Sequence, residues 1–215
     1  MIMMVDATTF EIYTDDSWPT ESGVAWAVGG KRATFDSVGS RNLFAYSAGF
    51  IFETETNQSI TSAISCPNTN GNHEFRGTAG SIRTITQTSD ARNFEGGNNN
   101  ASVITLRNLK LENSNASKTL AWGFAARRKV YCYDCVFGDA TNTLVYGHVR
   151  LGDYPNGIFI NCIFEYCTST FGAFYVSTSY GYVIKNCIFR NNVGAGMRTH
   201  QFNMTVLNSL LYNKG

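Results

Sequence analysis

Cys132-Tyr-Asp-Cys135 carries more chemical potential than any other pattern in the chain. Two thiols separated by two residues can act as a redox pair, or as half of a zinc site when two more ligands approach. Cys162 and Cys167 lie downstream as candidate partners. The acids Glu112, Asp139 and Glu165 form a second group. Cleavage of a glycosidic bond needs two carboxyl groups about 5–9.5 Å apart, one giving a proton and one assisting attack. A third group is aromatic. Thr119-Leu-Ala-Trp-Gly-Phe124 and Thr143-Leu-Val-Tyr-Gly-His148 are alike, and Thr170-Phe-Gly-Ala-Phe-Tyr175 follows. Stacked, these put Trp122, Tyr146 and Phe174 or Tyr175 in a row, with Arg127, Arg128 and Arg150 shortly after. Such a row, facing outward, is a platform for sugar rings or a neighbouring subunit.

The elements that must position these groups come from an internal repeat. An Asn or Asp followed by two residues and then a bulky apolar one recurs as Asn108-Leu-Lys-Leu111, Asp134-Cys-Val-Phe137, Asn161-Cys-Ile-Phe164, Asn186-Cys-Ile-Phe189 and Asn208-Ser-Leu-Leu211. The anchors are 26, 27, 25 and 22 residues apart, and Leu106, Cys132, Phe159, Ile184 and Val206 sit two residues before them. Period-two alternation on both sides of the anchor predicts strands with one buried face. The anchor interrupts them, because Asn tolerates the left-handed conformation and can bend a strand while its side chain bonds its counterparts one repeat away. A second turn is expected five residues on, at Asn113, Asp139, Asn191 and Asn213, where the third repeat has Tyr166. Coils of about 25 residues stacked at about 4.8 Å make a parallel β-solenoid. Leu109, Cys135, Cys162, Cys187 and Ser209 then form one inward column, and Leu111, Phe137, Phe164, Phe189 and Leu211 its neighbour.

Asn-Cys-Ile-Phe after an alternating strand, with an Asn ladder at the bend, resembles the right-handed parallel β-helix repeats of the pectin-lyase-like superfamily. The resemblance is clear over residues 101–215 and extends to about residue 60. It implies an all-β, right-handed parallel β-helix, an architecture shared by phage tailspikes and polysaccharide-active enzymes. It does not by itself imply an activity. Pectate lyases in that superfamily pair Ca²⁺-binding acids with a basic residue; no matching cluster stands in this sequence, so no catalytic residue is carried over.

The repeat re-weighs the three chemical groups. Positions equivalent to Cys132 and Cys135 hold Leu106 and Leu109, Phe159 and Cys162, Ile184 and Cys187, Val206 and Ser209. These are core slots, in which cysteine acts as a small hydrophobe. Cys66 and Cys167 fall outside the columns and are the candidates for reactive thiols. Glu112 and Glu165 share a column two coils apart, roughly 9–10 Å by coil pitch, with Gly138 between them and Asp139 one residue away. They are weak catalytic candidates, since acids near a turn are ordinarily just solvated. The aromatic row fits either an outward platform or an inward stack that fills the core. His148 and His200 lack a carboxylate partner in the pattern.

Upstream, Phe50-Ile-Phe52, Ile60, Ile64, Phe75 and Ser81–Ile85 read as less regular coils, and Ser89–Asn100 as an exposed loop. Residues 1–45 read as an irregular N-terminal cap, with a short helix over 19–28, and residues 46–215 as the solenoid. The last coil, Met204–Gly215, matches the repeat with no polar cap after it, so another subunit, a virion partner or a continuation of the chain is expected to cover Leu210, Leu211 and Tyr212, the assembly end.

Composition narrows the class. Lys+Arg number 17 against 16 Asp+Glu, a net charge of +1, which argues against a dedicated nucleic-acid binder with its basic stripe. Apolar residues are 43% and aromatics 13%, too many for a disordered chain. The 20 Gly and 21 Asn supply tight turns. No stretch approaches the ~20 apolar residues that span a bilayer, and Asp6 follows Met1 too closely for a secretory signal, so the six cysteines are expected as thiols. The combined expectation is a non-enzymatic structural or assembly protein, a phage virion component such as a decoration, spike or fibre module. It would be made in the host cytoplasm without metal or cofactor, and would form a homo-oligomer, a trimer by analogy with β-helical spikes, or dock on another virion protein. The alternatives are a polysaccharide lyase or hydrolase of the β-helix class, and a glycan-binding module using the aromatic row.

Overall fold

Short alternating strands interrupted by left-handed corner residues can bury their apolar face only by stacking on copies of themselves. The computed structural model has that arrangement. It describes residues 2–4, 10–12, 31–32, 50–66, 72–96, 103–114, 124–126, 129–138, 149–151, 156–167, 172–176, 181–199 and 203–212. The first sheet has eight strands: Lys31–Arg32, Phe50–Thr54, His73–Gly77, Val103–Arg107, Lys129–Tyr133, Asn156–Ile160, Gly181–Lys185 and Met204–Leu207. The second has seven: Gln58–Ile60, Arg83–Gln87, Leu109–Asn113, Val136–Gly138, Ile163–Glu165, Ile188–Arg190 and Leu210–Tyr212. The third has six: Ile64–Cys66, Phe94–Gly96, Phe124–Ala126, Val149–Leu151, Phe174–Val176 and Met197–Thr199. Every pairing within them is parallel, and each coil contributes its strands in that order. The protein is an all-β parallel solenoid, with no helix among the described residues.

The corner between the first and second sheets is where the sequence acts most directly. Asn108, Asp134, Asn161, Asn186 and Asn208 all have φ between 47° and 56°. Asn161 Nδ2 donates to Asp134 Oδ1 at 3.0 Å, and Asn186 Nδ2 to Asn161 Oδ1 at 3.2 Å, so the corner side chains form a ladder along the stack. The second turn is less uniform. Asn191 (φ 55°) and Tyr166 (φ 59°) are left-handed, although an aromatic residue rarely adopts that conformation. Asn113 does not turn; it closes the strand Leu109–Asn113.

The core runs up the middle of the stack. Leu111, Phe137, Phe164 and Phe189 are buried, as are Leu109, Cys135, Cys162 and Cys187. Phe164 lies face to face with Phe137 at 4.9 Å and with Phe189 at 4.6 Å between ring centroids. Phe174, from the third sheet, closes on Phe159 and Phe164 edge-on at 4.9 Å and 5.7 Å.

Two upstream expectations change. Ser89–Asn100, read as an exposed loop, contains the third-sheet strand Phe94–Gly96. Phe94 is buried edge-on against Phe75 at 4.9 Å, and the buried Asn93 amide donates to the carbonyls of Ile85 and Glu112. Within residues 1–45, Ile2–Met4 pairs antiparallel with Phe10–Ile12, and Lys31–Arg32 joins the first sheet beside Phe52 and Glu53. The helix expected over 19–28 lies outside the described residues.

One inward column pays for its fit with a polar group. Ile104, Val130, Gly157 and Tyr182 stack in successive coils. A Cβ on Gly157 would lie 2.4 Å from Tyr182 Cε1, so the glycine makes room for the ring. The Tyr182 hydroxyl is buried without a hydrogen-bond partner, and burial pushes its pKa well up. An unsatisfied buried hydroxyl costs about 1–3 kcal/mol. Tyr182→Phe is therefore expected to hold or raise the urea midpoint; a loss above about 1 kcal/mol would show that the hydroxyl is bonded.

Candidate functional site

The acids stand on one outer column of the second sheet. Pairing places Glu112 beside Thr86, Gly138 beside Glu165, Glu165 beside Arg190 and Arg190 beside Tyr212. Glu112 Oε1 accepts from Thr86 Oγ1 at 2.9 Å, and its Oε2 meets Lys110 Nζ at 2.9 Å. Glu165 Oε2 accepts from Arg190 Nε at 2.7 Å. A Cβ on Gly138 would come within 2.7 Å of Glu165 Cγ, so the Glu165 stem occupies the space that glycine leaves. The two acids thus engage opposite ends of the column, each closed by its own cation. That arrangement ties coils together. Asp139, the third candidate, lies outside the described residues. Among the described residues, no three His, Cys, Asp or Glu side chains are placed to hold a metal ion.

The aromatic row divides. Phe174, expected among the glycan or subunit contacts, is fully buried between Phe159 and Phe164, and nothing outside the molecule can reach its ring. Strand parity decides this: Phe174 and Val176 point inward, so Tyr175 between them is the half-exposed member. Tyr175 pairs in register with Arg150 on one side and Arg198 on the other. Arg150 occupies the position between the buried Val149 and Leu151. Trp122, Tyr146, Arg127, Arg128, His148 and His200 lie outside the described residues.

Five of the six cysteines are core residues. Cys132, Cys135, Cys162 and Cys187 are buried free thiols. Cys167 is corrected: expected outside the columns and reactive, it is buried within the core cluster, with its N–H donating to Asn192 Oδ1 at 2.9 Å. Cys66 ends the strand Ile64–Cys66.

Sequence reasoning missed a charged ladder on the outer face of the first sheet. Arg76 Nε donates to Glu53 Oε2 at 2.7 Å, Arg107 Nε lies 3.3 Å from Glu74 Oε1, and the Arg107 guanidinium sits 4.2 Å from the centroid of the Tyr133 ring. The signal was available: Glu53, Arg76, Arg107 and Tyr133 hold the same strand position in successive coils.

The last described coil differs from those beneath it. Phe189 is 0% exposed, whereas Leu211, next in its column, is 53% exposed. Leu210 and Tyr212 are 58% and 56% exposed, and Val206 and Leu207 are also open. Met204–Leu207 and Leu210–Tyr212 are the outermost strands of their sheets among the described residues. No family model, curated protein or solved structure matches the chain.

Proposed function

We propose that this protein is a non-enzymatic structural module that assembles with copies of itself through its last described coil. A phage virion part such as a spike, fibre or decoration protein is the finer form of this reading. The observation that carries it is the exposure of Val206, Leu207, Leu210, Leu211 and Tyr212, whose columns are otherwise core or paired sheet. Open strand edges combined with apolar side chains drive association. What fits them is another layer with apolar inward residues, strands at a spacing of about 4.8 Å and a polar corner over Asn208. A second copy of this chain has such layers. The ion-paired states of Glu112 and Glu165 support a structural role over a catalytic one.

The test is solution mass by light scattering over a range of concentrations. An assembly larger than the monomer is expected, and Leu211→Asp should reduce it to a monomer with unchanged circular dichroism. A monomeric parent protein, or an oligomer that survives Leu211→Asp, defeats the reading. A second reading, a glycan-binding face, is favoured by one observation: Tyr175 lies half-exposed in register between Arg150 and Arg198.

A further inference from the structure

We propose that Cys162 and Cys187 form an oxidisable pair, a latent inter-coil disulfide that fastens one coil of the solenoid to the next. Three cysteines stand one above another at the start of the second-sheet strands. Ile163 N–H donates to the Cys135 carbonyl and Ile188 N–H to the Cys162 carbonyl, both at 2.9 Å, which fixes Cys135, Cys162 and Cys187 at one position in adjacent coils. Parallel strands lie about 4.7–4.9 Å apart. A disulfide accepts Cα separations of about 4.4–6.8 Å, so neighbouring members of the column are within bridging range. The Cys187 sulfur leans back toward the coil of Cys162, lying 3.4 Å from the Phe159 carbonyl.

Cys162 has two neighbours and can bridge only one. Cys187 is favoured because of what covers it. Its N–H donates to Ser209 Oγ at 3.1 Å, and Ser209 belongs to the half-open last coil, beside Leu210 and Leu211. Elements with few buried contacts open most often, so Cys187 meets solvent before Cys135, which lies two coils deeper. The electrostatics agree. The neighbouring Cys162 side chain holds the Cys187 pKa below the ordinary thiol value, while burial pushes Cys162 and Cys132 up.

With hydrogen peroxide as oxidant the chemistry closes in two steps. The Cys187 thiolate attacks one peroxide oxygen, the O–O bond breaks, and the departing hydroxide takes a proton to become water, leaving a sulfenic acid on Cys187. The Cys162 sulfur then attacks the Cys187 sulfur. The S–O bond breaks, the S–S bond forms, and the oxygen leaves as water with the Cys162 proton. Two thiols lose two electrons in all, and one peroxide is reduced to two waters.

The test treats the folded, fully reduced chain with hydrogen peroxide, alkylates the remaining thiols under denaturing conditions, and maps linked peptides by tandem mass spectrometry. A urea-unfolded sample serves as a control for oxidant activity. The expected product is lighter by two hydrogen atoms, carries a Cys162–Cys187 link, and unfolds at higher urea than the reduced protein. Cys135→Ser should leave that link in place. Cys187→Ser should leave Cys162 free to alkylate. Full alkylation of the native sample while the unfolded control oxidises would overturn the proposal. So would a Cys135–Cys162 link as the main product, or one running through Cys66 or Cys167.

Discussion

Phe164→Ala is expected to cost about 3–5 kcal/mol, the usual range for deleting a fully buried aromatic ring. Phe164 is stacked on both faces, by Phe137 and Phe189, and met edge-on by Phe174, with Phe159 at 6.0 Å. Its removal leaves four rings facing a void that the backbone cannot close. Paired strands on either side hold the coil spacing, through Phe137–Phe164 and Phe164–Phe189 in register. Residues in a solenoid touch only neighbouring coils, so a break in the middle uncouples the two ends. Urea unfolding should therefore show a lower midpoint, and the transition should broaden or split. A single sharp transition within about 1 kcal/mol of the parent would mean that neighbouring rings refill the space. Phe164→Leu, which keeps most of the volume, should cost well under half as much.

The reach of the sequence follows from which features repeat. Asn108, Asp134, Asn161, Asn186 and Asn208 are legible because a left-handed corner selects a few residue types, and strand parity propagates two or three residues from it. That is enough to place the inward columns of the first two sheets. The third sheet is reached through connections of unequal length: residues 114–123, 139–148, 166–173 and 191–196. Parity does not carry across such segments, which is why Phe174 and Tyr175 could not be told apart and Cys167 was placed outside the core. Upstream the marker changes. The corner of the second coil runs through Gly77 and Gly80 (φ 79°), and a Cβ on Gly77 would lie 2.4 Å from the Asn108 carbonyl oxygen. Glycine does there what asparagine does above. The Glu53–Arg76 and Glu74–Arg107 pairs start from these upstream coils, where no Asn anchor marks the strand parity.

Asn161 separates the two contributions of the corner, and its variants should differ in a defined order. Asn161→Val places a β-branched residue at φ 56°, where an L residue pays roughly 1–2 kcal/mol. It also removes the bond given to Asp134 and the one received from Asn186. Each is exposed to water, so each is worth about 0.5–1 kcal/mol. The expected total is about 3 kcal/mol. Asn161→Gly removes the same two bonds but enters the left-handed region freely, and should cost about 2 kcal/mol, the two bonds supplying most of it and the greater freedom of glycine in the unfolded chain the rest. The backbone bond from Asn161 N–H to the Lys185 carbonyl, at 3.0 Å, is available to both variants and cancels from the comparison. Urea unfolding of the two proteins measures the difference directly. If valine proves the more costly, the corner is selected for its backbone conformation, with the side-chain ladder as a smaller addition. Equal losses would put the ladder first, and Asp134, the acceptor beneath Asn161, should then be as sensitive to replacement by glycine as Asn161 itself.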